Sequence, residues 1–282
     1  MTTFQGIILG FIQGLTEFLP VSSSGHLALM RAAGFGGDTL KQMPLVFDVS
    51  VHVATLFAIL LYFHREVLSL VSGFVVTCLS VSPKYRPQPS SRAAADRKLF
   101  LYVLIASVPT AIIGLLIKPY AENQFQHPLP VGLMLILTGL FLYATRKYRD
   151  PGREFGLLNP LDAAVVGIVQ GIAVMPGLSR SGSTISTGII IGLERKVAAR
   201  FSFLIAVPAI VGASILEVPK LFRTGAEGML GPTLVGAVVA FAAGYAAIFA
   251  LMRVLERRRL IYFAPYCWVL GAIAVILGLW RG

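Results

Sequence analysis

The chain has 282 residues, 56% of them hydrophobic and 13% charged, with a formal net charge of +11 and a mean hydropathy of +0.79. That is too apolar for a soluble domain of this length, so the sequence reads as an integral membrane protein. Its basic residues sit in short loops between apolar runs and not along one amphipathic face, which argues against a nucleic-acid partner.

The first apolar stretch, residues 4 to 33, is interrupted by Glu17, Pro20, three serines and His26. This pattern predicts a short helix, a turn and a return helix in place of a simple crossing. No basic n-region precedes it, so a retained N-terminus is expected rather than a cleavable signal peptide. Six long apolar stretches follow, at about 45 to 63, 99 to 117, 131 to 145, 201 to 216, 231 to 252 and 260 to 280. Most lie near the ~20 residues a bilayer requires. Seventeen of the 24 Lys and Arg fall in segments 64 to 98, 146 to 153, 194 to 200 and 253 to 259. Segments 34 to 44, 118 to 130 and 217 to 230 hold only Lys41, Lys118, Lys220 and Arg223. By the positive-inside rule the first group is cytoplasmic.

One polar pattern occurs twice. Gly10, Gln13, Gly14, Ser22, Ser24 and Gly25 recur 157 residues later, without a gap, as Gly167, Gln170, Gly171, Ser179, Ser181 and Gly182. If residues 4 to 33 and 161 to 193 each enter and leave by the same face, every copy has a re-entrant helix pair plus three spans. Three is odd, so the second copy is inserted upside down, with residues 1 to 44 outside and 146 to 200 inside. The predicted fold is therefore all-α and membrane-embedded, one domain over 1–282 built from two inverted repeats at about 4–145 and 161–282. The glycines Gly6, Gly10, Gly14 and Gly167, Gly171 predict close helix packing.

Gln13 and Glu17 are four apart and project from one face of the first short helix. A lone carboxylate in hydrocarbon costs a few kcal/mol, so Glu17 needs a cationic partner, a metal or a watery pocket. Ser22, Ser23, Ser24 and Gly25 then open the return helix, where unpaired N–H groups and the dipole favour an anion. Ser23 and His26 share a face of that helix, so the imidazole could take the hydroxyl proton or itself attack a phosphorus atom. The second copy places Arg180 in the turn, with a planar fork suited to phosphate oxygens, and Ser179, Ser181 and Thr184 around it. It is neither a Walker loop nor a Gly-x-Ser-x-Gly elbow. Asp48, His52 and Thr55, at i, i+4 and i+7 of the first full span, read as a hydrogen-bonded stripe on a cavity wall, supporting the site without direct chemistry. Asn159, Pro160 and Asp162 predict a helix start. His64 and His127 carry no signal, and Cys78 and Cys267 read as packing residues.

The two motifs, Gln13-Gly-Leu-Thr-Glu17-Phe-Leu-Pro20-Val-Ser-Ser-Ser-Gly-His26 and Pro176-Gly-Leu-Ser-Arg180-Ser-Gly-Ser-Thr184, closely resemble those of the bacterial undecaprenyl-diphosphate phosphatases, the bacitracin-resistance family of membrane phosphatases. The likeness extends over nearly the whole chain, including Phe201 to Pro208. It implies hydrolysis of the C55 isoprenyl diphosphate lipid to its monophosphate for cell-wall synthesis, at the periplasmic side of the bacterial inner membrane. It also implies a divalent cation, Mg2+ or Ca2+, with Glu17 as its protein ligand, and it makes Glu17, His26, Arg180 and Ser23 the catalytic set. Gln13, Ser22, Ser24, Gly25, Ser179, Ser181 and Thr184 are then the substrate-binding residues, and a homodimer is a further expectation. Some members carry Glu where this chain has Gln13, which leaves one clear carboxylate for a metal. Attack by Ser23, by His26 or by an activated water stays open, with the imidazole or water slightly preferred. A secondary transporter or lipid flippase is the rival reading, since inverted repeats serve it equally.

Overall fold

The computed structural model describes residues 1–32, 45–82, 88, 91–124, 127–148, 152–224, 230–257 and 259–281. Segment 34 to 44 with Lys41, expected on the outer side, lies outside the described residues. The described residues form eleven α-helices: α1 (Thr3–Phe18), α2 (Ser23–Ala32), α3 (Leu45–Tyr62), α4 (His64–Leu79), α5 (Arg92–Gln124), α6 (Pro128–Ala144), α7 (Pro160–Ile172), α8 (Arg180–Ile190), α9 (Arg195–Thr224), α10 (Leu230–Glu256) and α11 (Phe263–Arg281). Six of them, α3, α5, α6, α9, α10 and α11, are long and apolar enough to cross a membrane, and they fall on the six stretches expected. The protein is an all-α, multi-pass membrane protein.

The helices α1, α2, α7 and α8 have 16, 10, 13 and 11 residues. At ~1.5 Å per residue none covers a hydrocarbon core of ~30 Å. Local chemistry sets their ends. Thr2 caps α1 in a capping box with Gln5, and Leu19, ahead of Pro20, is extended and stops it. Asn159 caps α7 reciprocally with Asp162, with Pro160 in first position, as the sequence requires.

The short helices are held by backbone contact with spans of the opposite half. A Cβ on Gly6, Gly10 or Gly14 would lie 2.5, 2.2 or 2.3 Å from the carbonyl oxygens of Pro232, Gly236 and Ala240, so α1 rests directly on α10. In the second copy a Cβ on Gly167 would lie 2.2 Å from the carbonyl oxygen of Ala106 and one on Gly171 2.8 Å from the Cβ of Ile113, so α7 is seated on α5. Each duplicated helix thus uses its glycines on the other half's span. The tip of α1 is fixed by Phe18, fully buried and edge-on to Phe203 of α9 at 5.7 Å.

One element was not expected. Segment 64 to 98 reads as a basic loop, yet its first part is α4, which presses Gly73 on the Asp96 carbonyl of α5 and leaves Leu68, Val71, Val75 and Leu79 exposed. Its apolar run is shorter than a span, so a search for crossings passes over it.

Replacing Gly10 by Ala forces a methyl into the Gly236 carbonyl, and overpacking of this kind costs ~1–3 kcal/mol. Gly212 in α9 has open space around its Cβ position, so Gly212→Ala should be neutral or slightly stabilising. Thermal unfolding of detergent-purified variants should therefore show a lowered Tm for Gly10→Ala only; equal shifts would break the backbone-contact account.

Candidate active site

The two polar turns carry the same internal bonds. Ser22 Oγ accepts from the Gly25 N–H at 3.2 Å and lies 3.2 Å from Ser24 Oγ. Ser179 Oγ accepts from the Gly182 N–H at 3.1 Å and lies 3.3 Å from Ser181 Oγ. The turns also bind each other, since Ser24 Oγ accepts from the Gly177 N–H at 3.3 Å and Ser181 Oγ donates to the Leu19 carbonyl at 3.1 Å. From the flanking spans, Cys267 Sγ reaches the Pro20 carbonyl at 3.5 Å, and the Thr138 hydroxyl the Gly177 carbonyl at 3.1 Å. The four duplicated serines are thus engaged in building the turns. Ser22 has φ +67°, a left-handed conformation that a non-glycine residue enters at a cost on the order of 1 kcal/mol or more. Its carbonyl is held by the His26 backbone N–H at 3.2 Å and by His26 Nδ1 at 2.7 Å.

The joined turns bring Arg180, the first residue of α8, onto Glu17 at the end of α1. Arg180 Nη2 donates to Glu17 Oε1 at 2.7 Å, with the two side chains only 16% and 10% exposed. The second carboxylate oxygen accepts from Ser23 Oγ at 2.7 Å and from Gln13 Nε2 at 3.0 Å. Arg180 Nη1 is buried with no hydrogen-bond partner among the described residues. A buried donor left unsatisfied costs ~1–3 kcal/mol or more when charged, so the site holds a cationic N–H ready for an anionic oxygen.

Of the sequence-predicted residues, Gln13, Glu17, Ser23 and Arg180 meet in one cluster. His26 sits apart from it: Nδ1 binds Ser22, Nε2 lies 2.6 Å from the Tyr266 hydroxyl, and the His26 and Tyr266 rings stack at 5.7 Å. Sharing a helical face with Ser23 does not make the imidazole its partner, because the ring folds back on the carbonyl one turn earlier. Thr184 is fully buried, its hydroxyl bonded to the Arg180 carbonyl at 2.7 Å and 2.6 Å from Ser202 Oγ. It fastens α8 to α9. Ser22, Ser24, Gly25, Ser179 and Ser181 shape the turns as described. His52 Nε2 lies 3.1 Å from Gln13 Nε2, a link that spacing along one helix cannot reveal. Tyr266 and Thr138 were likewise unmarked, being single polar groups in apolar spans.

A cavity of about 910 Å3 adjoins the cluster. Arg180, His52, Asp48 and Gln170 are among its polar lining, with apolar side chains of α3, α5 and α9 and of the turn after α7, such as Leu45, Leu115, Ile215 and Val174, and Lys118, Glu217 and Lys220 from the C-terminal parts of α5 and α9. Arg180 and His52 line it, whereas Glu17 and Ser23 lie outside its lining. Among the described residues there is no group of three His, Cys, Asp or Glu able to hold a metal ion. Both oxygens of Glu17 are already engaged, so this donor set does not fit a resident ion.

The chain matches the family model described as bacitracin resistance protein BacA over residues 6–273. It is 42% identical over 278 residues to a protein of Desulforapulum autotrophicum named undecaprenyl-diphosphatase, covering 99% of both chains. Proteins of the same name from Desulfosudis oleivorans, at 43% over 283 residues, and Alkaliphilus metalliredigens, at 35% over 281, are matched over 99% of this chain and 100% of theirs.

Breaking a buried ion pair from one side leaves an uncompensated charge and costs ~3–5 kcal/mol. Arg180→Met should therefore lower the Tm markedly, and Arg180→Met with Glu17→Gln should recover part of the loss. A double variant as unstable as the sum of its singles would mean that the pair is not coupled in the membrane.

Proposed function

Because this chain belongs to the BacA family of bacitracin resistance proteins, we propose that it hydrolyses undecaprenyl diphosphate to undecaprenyl phosphate and inorganic phosphate. It is a membrane phosphatase, and its activity returns the lipid carrier to cell-wall synthesis and supports bacitracin resistance. The observation that carries the reading is Arg180, held on Glu17 through Nη2 with Nη1 unused, in the lining of a largely apolar cavity. A diphosphate head needs that cation and a prenyl tail needs those walls. A pure transporter has no use for a serine hydroxyl held on a carboxylate beside an arginine.

The diphosphate oxygens compete with Glu17 for Arg180, and opening that pair exposes Ser23. Its hydroxyl already points its proton at Glu17 Oε2, which favours Glu17 as the proton acceptor and Ser23 as the attacking group over the imidazole or water slightly preferred from sequence. The Ser23 oxygen bonds to the terminal phosphorus while the bridging P–O bond breaks, releasing undecaprenyl phosphate. Water then cleaves the phosphoserine to inorganic phosphate, with Glu17 again handling the proton. Arg180 and the helix start at Ser23 stabilise the charge that spreads over the phosphoryl oxygens. His26 holds the strained Ser22 turn. A divalent cation, Mg2+ or Ca2+, would be held by the substrate's own phosphates and not by a resident protein site, and would supply charge neutralisation there.

The inverted arrangement of the repeats and a periplasmic entrance belong to the same proposal. They are supported by the basic loops and by the crossed seating of α1 on α10 and α7 on α5.

Purified protein should release phosphate from a long-chain prenyl diphosphate, with suppression by EDTA and recovery on adding Mg2+. Arg180→Lys, keeping charge but losing the fork, should cut turnover by ~100-fold or more. Ser23→Ala should abolish turnover and His26→Ala should leave a measurable remainder, while rapid acid quench of the wild type should trap phosphate on Ser23. Full activity of Ser23→Ala would return the attack to the imidazole or to water.

Topology is tested separately, in a Cys78→Ser background because Cys78 is exposed. Exposed Thr3 and Glu154 stand near the starts of the two broken pairs. A cysteine at position 3 should react with an impermeant reagent on intact cells, and one at 154 only after lysis; reaction of both from one side would end the inverted reading.

A further inference from the structure

The amide of Gln13 lies between two groups on different helices: its Nε2 is 3.0 Å from Glu17 Oε2 and 3.1 Å from His52 Nε2. An amide nitrogen has two hydrogens and no acceptor capacity. If both are donated here, His52 Nε2 must be the acceptor, which places the ring proton on Nδ1. A taker for that proton is present, because His52 Nδ1 is 2.8 Å from the Asp48 carbonyl. Turning the amide over would set its oxygen 3.0 Å from a carboxylate oxygen with no proton between them, so Glu17 fixes its orientation. Nothing grips the other side of the amide: Gln13 is 1% exposed and its Oε1 is buried without a partner.

The second copy offers an internal comparison. Gln170, at the equivalent position, donates to the Ile205 carbonyl at 3.1 Å and to Thr110 Oγ1 at 3.3 Å. Each duplicated glutamine is therefore held by the span that follows its own broken pair, Gln170 by α9 and Gln13 by α3. In the first copy, beside the reacting groups, the holder is a side chain that also lines the cavity.

We propose that His52 is a positioning residue for the phosphatase reaction, its ring nitrogen accepting from Gln13 and thereby aiming the amide that steadies the Glu17 carboxylate against Ser23. This rests on the phosphatase reading above. The effect belongs to turnover more than to binding, because Gln13 and His52 act on the orientation of the proton acceptor while Arg180 supplies the grip on substrate.

The test compares His52→Gln, whose amide oxygen can still accept, with His52→Leu, which fills space without accepting. His52→Leu should lower kcat by ~10-fold or more with KM little changed, the scale found for residues that orient a catalytic group. His52→Gln should retain most of the turnover. Gln13→Leu combined with His52→Leu should be no slower than Gln13→Leu alone, within a factor of ~2, because His52 acts through that amide. Equal losses for His52→Gln and His52→Leu, or losses that multiply in the double variant, would overturn the proposal. A readout independent of activity is the nitrogen resonance of the His52 ring in 15N-histidine-labelled protein, assigned by its disappearance in His52→Gln. An unprotonated, hydrogen-bonded Nε2 is expected, and a proton on Nε2 would sink the positioning role. A wild type that released no phosphate would fail the phosphatase reading, while the ring resonance would still decide this one.

Discussion

A carboxylate and a guanidinium, one from each half of the chain, meet inside a protein otherwise built of apolar helices. Neither charge is tolerable there alone, so Glu17 and Arg180 must find each other for the fold to close. The rest of the architecture brings them to 2.7 Å. Glycines let α1 and α7 lie on α10 and α5 without intervening side chains, and broken helices end in mid-structure with polar turns face to face. The turns are then tied together by serines that each reach into the other's backbone.

That arrangement separates construction from chemistry. The residues shared by the two copies, Ser22 with Ser179, Ser24 with Ser181 and Gly25 with Gly182, make the same bonds in both turns and hold up the scaffold. The residues that differ supply the proposed reacting groups. Where the first copy has Ser23 the second has Arg180, and the two flank a single carboxylate. A symmetric frame with an asymmetric centre suits a reaction in which one group attacks and another absorbs charge.

Much of this was legible in the sequence. The six spans, the two interrupted pairs and the start of α7 at Asn159 follow from hydropathy and from residues whose backbone preferences are strong. Glu17 and Arg180 stand out because charge in an apolar run demands a partner. What spacing could not supply was which partners meet. Ser23 and His26 are three apart on one helix, which suggests a pair, yet the imidazole turns to Ser22 and Tyr266 and the hydroxyl to Glu17. His52 shows its Asp48 companion along α3 but not Gln13, since contacts between helices leave no trace in a local pattern. The serines of both turns read as anion ligands because free hydroxyls at a helix start commonly are; here they are largely consumed as caps and ties. The helix α4 escaped notice through its length, too short for a span and hidden in a basic segment.

The seating of α1 on α10 places a helix against one that is made much later in the chain. Until residues 230 to 256 have left the ribosome and entered the bilayer, the glycine face of α1 has no surface to rest on, and until Arg180 arrives Glu17 has no counter-charge. The site is therefore completed only after the second half of the chain has been made. A chain stalled or truncated before α10 carries a bare glycine groove on α1.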